Sequence, residues 1–245
     1  MNHSTPARLW LVLFDIDGTL LITRGAGSRC IRRACREIFG DAFAWGGITV
    51  GTLDPQIFAD LCAFNGIESP AEHHERYRDC YLGHLERELE RVREDVTVLP
   101  GVAELLAALN EREDVIVGLL SGNYGDAARI KLQSAGFDLS RFEVQAFAEH
   151  GETRDELLPA AMAQYAELTG DEADPARVIV VGDTPRDVAC ARSRGCRCLA
   201  VATGRYGEQQ LRDAGAEVVV RSLAEPGGLR AMLDAPARAS GDAVL

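Results

Sequence analysis

The sequence predicts an α/β protein: a doubly wound parallel sheet whose first strand is followed by an inserted α-helical domain. Six apolar residues, Leu9 to Phe14, run without polar interruption, as in a strand buried on both faces of a parallel sheet. From Pro100 onward, short apolar runs alternate with stretches of helical periodicity, the pattern of βα units with helices on both faces. Between about Leu21 and Asp95 the strand signals stop and helical patterns take over. These observations divide the chain into a discontinuous α/β core over 8–21 and 97–225, a helical cap over 22–96, and a C-terminal helix and tail over 226–245.

Taken in order, residues 1 to 7 read as a short disordered arm. In the insert, residues 28 to 39 put Ile31, Ala34, Cys35, Ile38 and Phe39 on one helical stripe, with Ser28 as N-cap and Gly40 as stop. Residues 54 to 64 and 70 to 93 are two further helices, the second heavily charged and at the surface. In the core, Gly101 to Arg112 predicts a helix, Val115 to Leu120 a buried strand, and Asp126 to Ala135 a helix closed by Gly136. Val144 to Ala148 is a weaker strand, Asp155 to Leu168 a long helix, and Val178 to Val181 a strand. Asp187 to Arg194 is a helix stopped by Gly195 and Cys198 to Ala202 a strand. After Leu211 to Ala214, Glu217 to Val220 makes a short edge strand, and Pro236 to Leu245 reads as a frayed tail.

Bulk properties narrow the function. The 245 residues are 47% apolar and 26% charged, the balance of an ordinary globular protein. A net charge of −12 argues against nucleic acid or an anionic membrane as partner, since both are bound through basic surface. A small phosphorylated molecule stays compatible, because a bound metal reverses the local field. The N-terminal apolar run is too short for a signal-peptide core and no stretch is long enough to span a bilayer, so a cytoplasmic protein is expected, with monomer and homodimer both left open. Seven cysteines without a Cys-x-x-Cys pair indicate neither a disulfide framework nor a zinc site; Cys196 and Cys198 read as buried thiols on one strand. Of 26 basic residues only Lys131 is a lysine. Either that reflects codon bias, or the position needs a compact ammonium rather than a planar fork.

The chemistry starts where the first strand stops. Asp15 and Asp17 follow Phe14 at once, and Gly18 and Thr19 turn the chain away. In an open α/β sheet, ligands bind at the carboxyl ends of strands. Two carboxylates brought together there repel each other unless a cation sits between them, so the pair asks for a metal. A solvated turn is the plain alternative for an isolated Asp-x-Asp. Two later strands end in similar groups: Ser121-Gly122-Asn123 after Val115 to Leu120, and Gly182-Asp183-Thr184-Pro185-Arg186-Asp187 after Val178 to Val181. The hydroxyl and the run of backbone amides in the first suit phosphate oxygens, though Ser-Gly-Asn alone reads as a helix N-cap. Asp187 likewise suits a helix N-terminus.

Together these stretches resemble the haloacid dehalogenase superfamily of phosphohydrolases. Asp15-Ile16-Asp17-Gly18-Thr19 matches its first motif residue for residue, Ser121 its second, and Gly182-Asp183 with Asp187 its fourth. The resemblance implies that Asp15 is the nucleophile, Asp17 the general acid and then base, and Ser121, Gly122 and Asn123 the phosphate-binding group. It also implies Mg²⁺ held by Asp15, Asp183 and the backbone carbonyl of Asp17, with Asp187 supporting the metal or its waters. The third motif, a basic residue, departs from the commonest form: no Lys-Pro begins the helix after Val144 to Ala148, and Arg154 stands at that helix start. Arg154 is the assignment and Lys131 the rival, disfavoured because its helix runs away from the catalytic edge at about 1.5 Å per residue.

Leu99-Pro100-Gly101-Val102 and Ala202-Thr203-Gly204 resemble the phosphoglycolate phosphatase-like branch, whose helical cap lies between the first two motifs. Ile48 to Ile57 is similar to that branch's loop over the site, but Thr52 stands where relatives carry a basic residue. Arg24, Arg29 and Arg32 lie near the cap entrance and read as solvated surface groups. The function implied is Mg²⁺-dependent hydrolysis of a small phosphomonoester through an aspartyl-phosphate. A sugar-phosphate mutase is the alternative, and a non-catalytic phosphate-binding module a more distant one.

Overall fold

The computed structural model describes residues 9–47, 51–91, 95–225 and 227–234. The expected N-terminal arm, the last residues of the 70–93 helix, the start of the Ile48 to Ile57 loop and the C-terminal tail lie outside the described residues.

The chain runs β1 (Trp10–Phe14), β2 (Leu21–Ile22), α1 (Ala26–Phe39), α2 (Asp54–Phe64), α3 (Pro70–Arg91), β3 (Thr97–Val98), α4 (Val102–Asn110), β4 (Val115–Leu120) and α5 (Gly125–Ser134). It continues through β5 (Val144–Ala146), α6 (Arg154–Thr169), β6 (Val178–Gly182), α7 (Pro185–Ser193), β7 (Arg197–Val201), α8 (Glu208–Asp213), β8 (Val218–Val220) and α9 (Gly228–Asp234). Six strands form one sheet in the order β5-β4-β1-β6-β7-β8, every neighbouring pair parallel. The order reverses direction around β1, which is the doubly wound arrangement the sequence predicts.

β1 sits at the centre because both of its faces are apolar. Leu11 and Leu13 enter a cluster with Leu157, Leu158 and Ala161 of α6 and Val188 of α7. Trp10, Val12 and Phe14 enter the opposite cluster, with Val102 and Leu106 of α4 and Leu229 and Met232 of α9. The first cluster continues into the insert through Ala26, Cys30, Phe58, Tyr77 and Tyr81, so the helices between β2 and β3 share buried surface with the sheet layer. All seven cysteines are free thiols, Cys196 and Cys198 among the buried ones.

Three local readings change. β2 and β3 form a two-stranded antiparallel ribbon where the chain leaves and re-enters the sheet; two residues per strand are too few to show alternation. α1 begins at Ala26, not after Ser28: Ala26 N donates to Thr23 O at 3.0 Å, and Arg24 and Gly25 turn the chain with φ of 46 and 79°. β5 ends at Ala146 because a helical turn over Ala148–His150 follows. Other boundaries shift by a few residues, as helix and strand ends do.

Candidate active site

The sheet register assembles the site. Phe14 pairs with Leu119 of β4 and with Val181 of β6, so Asp15 stands level with Leu120 and Gly182, and Ser121 and Asp183 extend one residue further. One carboxylate oxygen each from Asp15, Asp183 and Asp187 lie within 4.8 Å of one another, and all three residues are buried. Asp183 Oδ2 is bordered by two glycines that leave no room for a Cβ: one on Gly18 would stand 2.5 Å from it, and one on Gly204 1.7 Å. Gly18 also has φ +82°, a conformation that suits glycine. Thr203 Oγ1 donates to the Gly18 carbonyl and Thr19 Oγ1 to Asp183 Oδ1 at 3.5 Å, which ties the loops together.

This crowding has an electrostatic signature. Burial pushes the Asp15 carboxyl up to about 6; Arg154 opposes the shift, Asp187 and Asp17 add to it, and a hydrogen bond with Ser121 draws it down slightly. Asp183 is pushed up to about 8 by burial first and then by Asp15 and Asp187. Hard oxygen donors with such uncompensated charge fit a divalent cation like Mg²⁺. Asp187 differs from its neighbours because both of its oxygens are already engaged. Oδ2 accepts from Thr184 N at 3.0 Å and Thr184 Oγ1 at 2.7 Å, closing a capping box on α7, and Oδ1 accepts from Arg154.

Arg154, the first residue of α6, enters this cluster. Its Nη2 lies 3.2 Å from Asp15 Oδ1, contacts Asp187 Oδ1 and donates to Leu120 O at 3.4 Å. Burial opposes its charge, but Asp187 and Asp15 outweigh burial and hold the guanidinium protonated. Lys131 reaches the site as well, contrary to the expectation from its helix direction. Its Nζ lies 2.6 Å from Asp17 Oδ2 and 2.6 Å from Asn123 Oδ1. Helical side chains lean back toward the N-terminus, and counting rise along the axis neglects the length of the lysine stem. Arg154 is therefore the cation at Asp15, and Lys131 the cation at Asp17.

Asn123 is drawn into the same network, donating through Nδ2 to Asp17 Oδ2 and to Ser121 Oγ, both at 2.8 Å. The Gly122 carbonyl accepts from Asp54 N at 2.7 Å, which seats the start of α2 on the Ser121 loop. Arg29 and Arg32 are engaged elsewhere: Arg29 pairs with Glu88 at 3.1 Å, and the Arg32 guanidinium lies 4.8 Å from the Trp45 ring centroid.

The model of the haloacid dehalogenase-like hydrolases matches residues 11–195, the span that holds every one of these side chains apart from Gly204 and Thr203. The chain is a haloacid dehalogenase-like hydrolase. It is 30% identical over 230 residues to the N-acetylmuramic acid 6-phosphate phosphatase of Pseudomonas aeruginosa, covering 87% of this chain and 91% of that protein. Its fold is similar to that of CbbY from Rhodobacter sphaeroides, solved in complex with phosphate, with TM-score 0.72 at 19% identity over 93% of this chain and 100% of that one. It is also similar to that of β-phosphoglucomutase from Clostridium difficile, with TM-score 0.68 at 16% identity over 92% and 97% of the two chains. This hydrolase belongs to the phosphatase branch of the family.

One residue of the hydrolase's site was hidden in the sequence. Asp54 reads there as a helix start beside Pro55, yet its Oδ2 accepts from Tyr124 N at 2.9 Å and its carboxyl is buried. Burial pushes it up to about 6, with Lys131 opposing. No local signal marks it, since an acidic residue at a helix start reads as an ordinary cap and the loop it docks on is 70 residues away.

Proposed function

We propose that this hydrolase is a Mg²⁺-dependent phosphatase that cleaves a small phosphomonoester through an aspartyl-phosphate on Asp15. The observation that carries the reading is a buried Asp15 carboxylate with Arg154 at 3.2 Å and with carboxylate oxygens of Asp183 and Asp187 gathered within 4.8 Å. Asp15 and Asp183, with the backbone carbonyl of Asp17, are the residues that would hold Mg²⁺. Asp187, its oxygens occupied by Thr184 and Arg154, acts as a support that orients Arg154. When bound, the cation supplies positive charge against the phosphoryl oxygens and permits Asp15 to stay ionised.

The chain's own groups do the rest. An Asp15 oxygen attacks phosphorus while Asp17 gives a proton to the leaving oxygen, which splits one difficult step into two. Asp17 then takes a proton from the water that releases phosphate from Asp15. Arg154 and the Ser121 hydroxyl stabilise charge on the phosphoryl oxygens, and the amides of Gly122 and Asn123 bind them. We read α1–α3 (22–96) as a cap over a core of 8–21 and 97–225, since Asp54 at the start of α2 already touches the Ser121 loop. Cap movement would admit substrate and exclude water during transfer. No helix among the described residues is long and apolar enough to cross a membrane, and with the acidic charge this supports a cytoplasmic enzyme acting on a small metabolite.

The test is phosphate release from p-nitrophenyl phosphate and a panel of phosphomonoesters, with amino-sugar phosphates placed first because of the Pseudomonas aeruginosa relative. Release that needs Mg²⁺, stops with chelator and disappears in Asp15→Asn is expected. Isomerisation of a sugar phosphate without net phosphate release would replace the phosphatase by a mutase.

A further inference from the structure

Lys131 is the only lysine of the chain, and its side chain is 5% exposed. Desolvating an ammonium is costly, and hydrophobic residues of similar volume often serve a fold as well or better. Its placement is specific. Lys131 Nζ donates to Asp17 Oδ2 at 2.6 Å and to Asn123 Oδ1 at 2.6 Å, while Asn123 Nδ2 donates to the same Asp17 Oδ2 at 2.8 Å. Both donors take one oxygen of the Asp17 carboxylate, and among the described residues no hydrogen bond is made to the other. The Asp17 side chain stays 43% exposed, whereas that of Asp15 is 9% exposed. The ammonium borders Gly27 of α1 and the Tyr81 hydroxyl of α3: a Cβ on Gly27 would lie at van der Waals distance, 3.9 Å, from both Nζ and Tyr81 Oη. The ammonium, a compact charge with three rotatable donors, turns one N–H to Asp17 and another to Asn123, where a guanidinium would hold its donors in one fixed plane.

We propose that Lys131 is a positioning residue for Asp17: with Asn123 it clamps Oδ2, leaving Oδ1 as the oxygen that handles the proton. The inference rests on the phosphatase reading and assigns Lys131 a part in it. In the first half-reaction the bond from Asp15 to phosphorus forms, the ester P–O bond breaks, and the Asp17 proton passes to the leaving oxygen. In the second, water's oxygen bonds to phosphorus, the bond to Asp15 breaks, and the water proton passes to Asp17. A leaving group as good as p-nitrophenolate departs without the proton, so with p-nitrophenyl phosphate only the second half depends on how Asp17 is held. Loosening Asp17 then makes aspartyl-phosphate accumulate. A lysine that merely balanced buried charge would give no such split.

The experiment is stopped-flow release of p-nitrophenolate with Mg²⁺, for wild type, Lys131→Met and Asn123→Ala, with acid-quenched samples analysed by peptide mass for phosphoryl on Asp15. Lys131→Met is expected to release one equivalent per enzyme in a fast phase. Its steady rate then falls by about 100-fold, the low end of what a proton-transfer group contributes. Asn123→Ala, which leaves Lys131 and its charge in place, is expected to show the same burst with a fall of about 10-fold, a smaller share of that contribution. If Lys131→Met does not fold, the Asn123→Ala burst decides alone. Fast phase and steady rate falling together, or a steady rate unchanged in both variants, would overturn the positioning role while leaving the phosphatase intact. A wild type that releases no nitrophenolate and carries no phosphoryl group would overturn both.

Discussion

With no cation bound, this protein should lose stability as pH rises, the reverse of ordinary acid denaturation. Asp15 and Asp183 are pushed up to about 6 and about 8 in the folded chain, chiefly by burial, and Asp54 to about 6. A carboxyl raised above its unfolded value binds protons more tightly when folded, so stability declines with pH through the window between the two values. Between pH 5.5 and 8 the unfolded carboxyls are already ionised, and groups held low in the folded state, such as Asp114, Asp138 and Glu208, do not titrate. With 1.36 kcal/mol per unit of pKa, Asp183 alone removes about 3 kcal/mol over that window, and Asp15 and Asp54 about 1 kcal/mol each. That is a large part of the 5–15 kcal/mol typical of a folded domain. Urea unfolding in chelator at pH 5.5 and at pH 8 measures it, and the same pair in saturating Mg²⁺ should lose most of the decline. A chelated protein equally stable or more stable at pH 8 would refute the argument that these carboxylates are crowded and uncompensated.

Further substitutions probe single parts of the site. Asp15→Asn should abolish turnover by at least about a thousandfold, as loss of a nucleophile does, while raising the chelated protein's midpoint at pH 8 because one buried charge is gone. Arg154→Met should lower the rate by about 10²–10³-fold, read as initial velocity under saturating Mg²⁺. It should also cost about 3 kcal/mol in urea, since Asp15 and Asp187 lose their buried cation. Gly18→Ala should weaken Mg²⁺ binding by calorimetry, because its Cβ would fall 2.5 Å from Asp183 Oδ2. An unchanged affinity would mean that Asp183 has room to move away.

Much of this site could be read in the chain because it hangs on strand ends. Asp15, Ser121 and Asp183 each follow an apolar run, and parallel strands bring such positions to one edge whatever the loops do. Asp187 is implied only by the resemblance to the family's fourth motif, and Arg154 by standing at a helix start at the same edge. Lys131 stands closer to the site than its rise along the helix axis implies, because the side chain leans back by its own length. Asp54 was missed for a different reason. Its partner is a backbone amide in the Tyr124 loop, and no local pattern states which loop the insert will touch. The β2–β3 ribbon escaped because two-residue strands carry no period.

If Asp15 takes up the phosphoryl group, peptide mass after a rapid acid quench detects it there. Asp17→Asn, which keeps the nucleophile and lacks the base, would be mixed with p-nitrophenyl phosphate and Mg²⁺, quenched and digested. One phosphoryl group is expected on the peptide that begins after Arg8 and contains Asp15, lost on treatment with hydroxylamine and absent from the Asp15→Asn control. Phosphate release by wild type with no phosphoryl on that peptide at any quench time in Asp17→Asn would contradict it and point to direct attack by water.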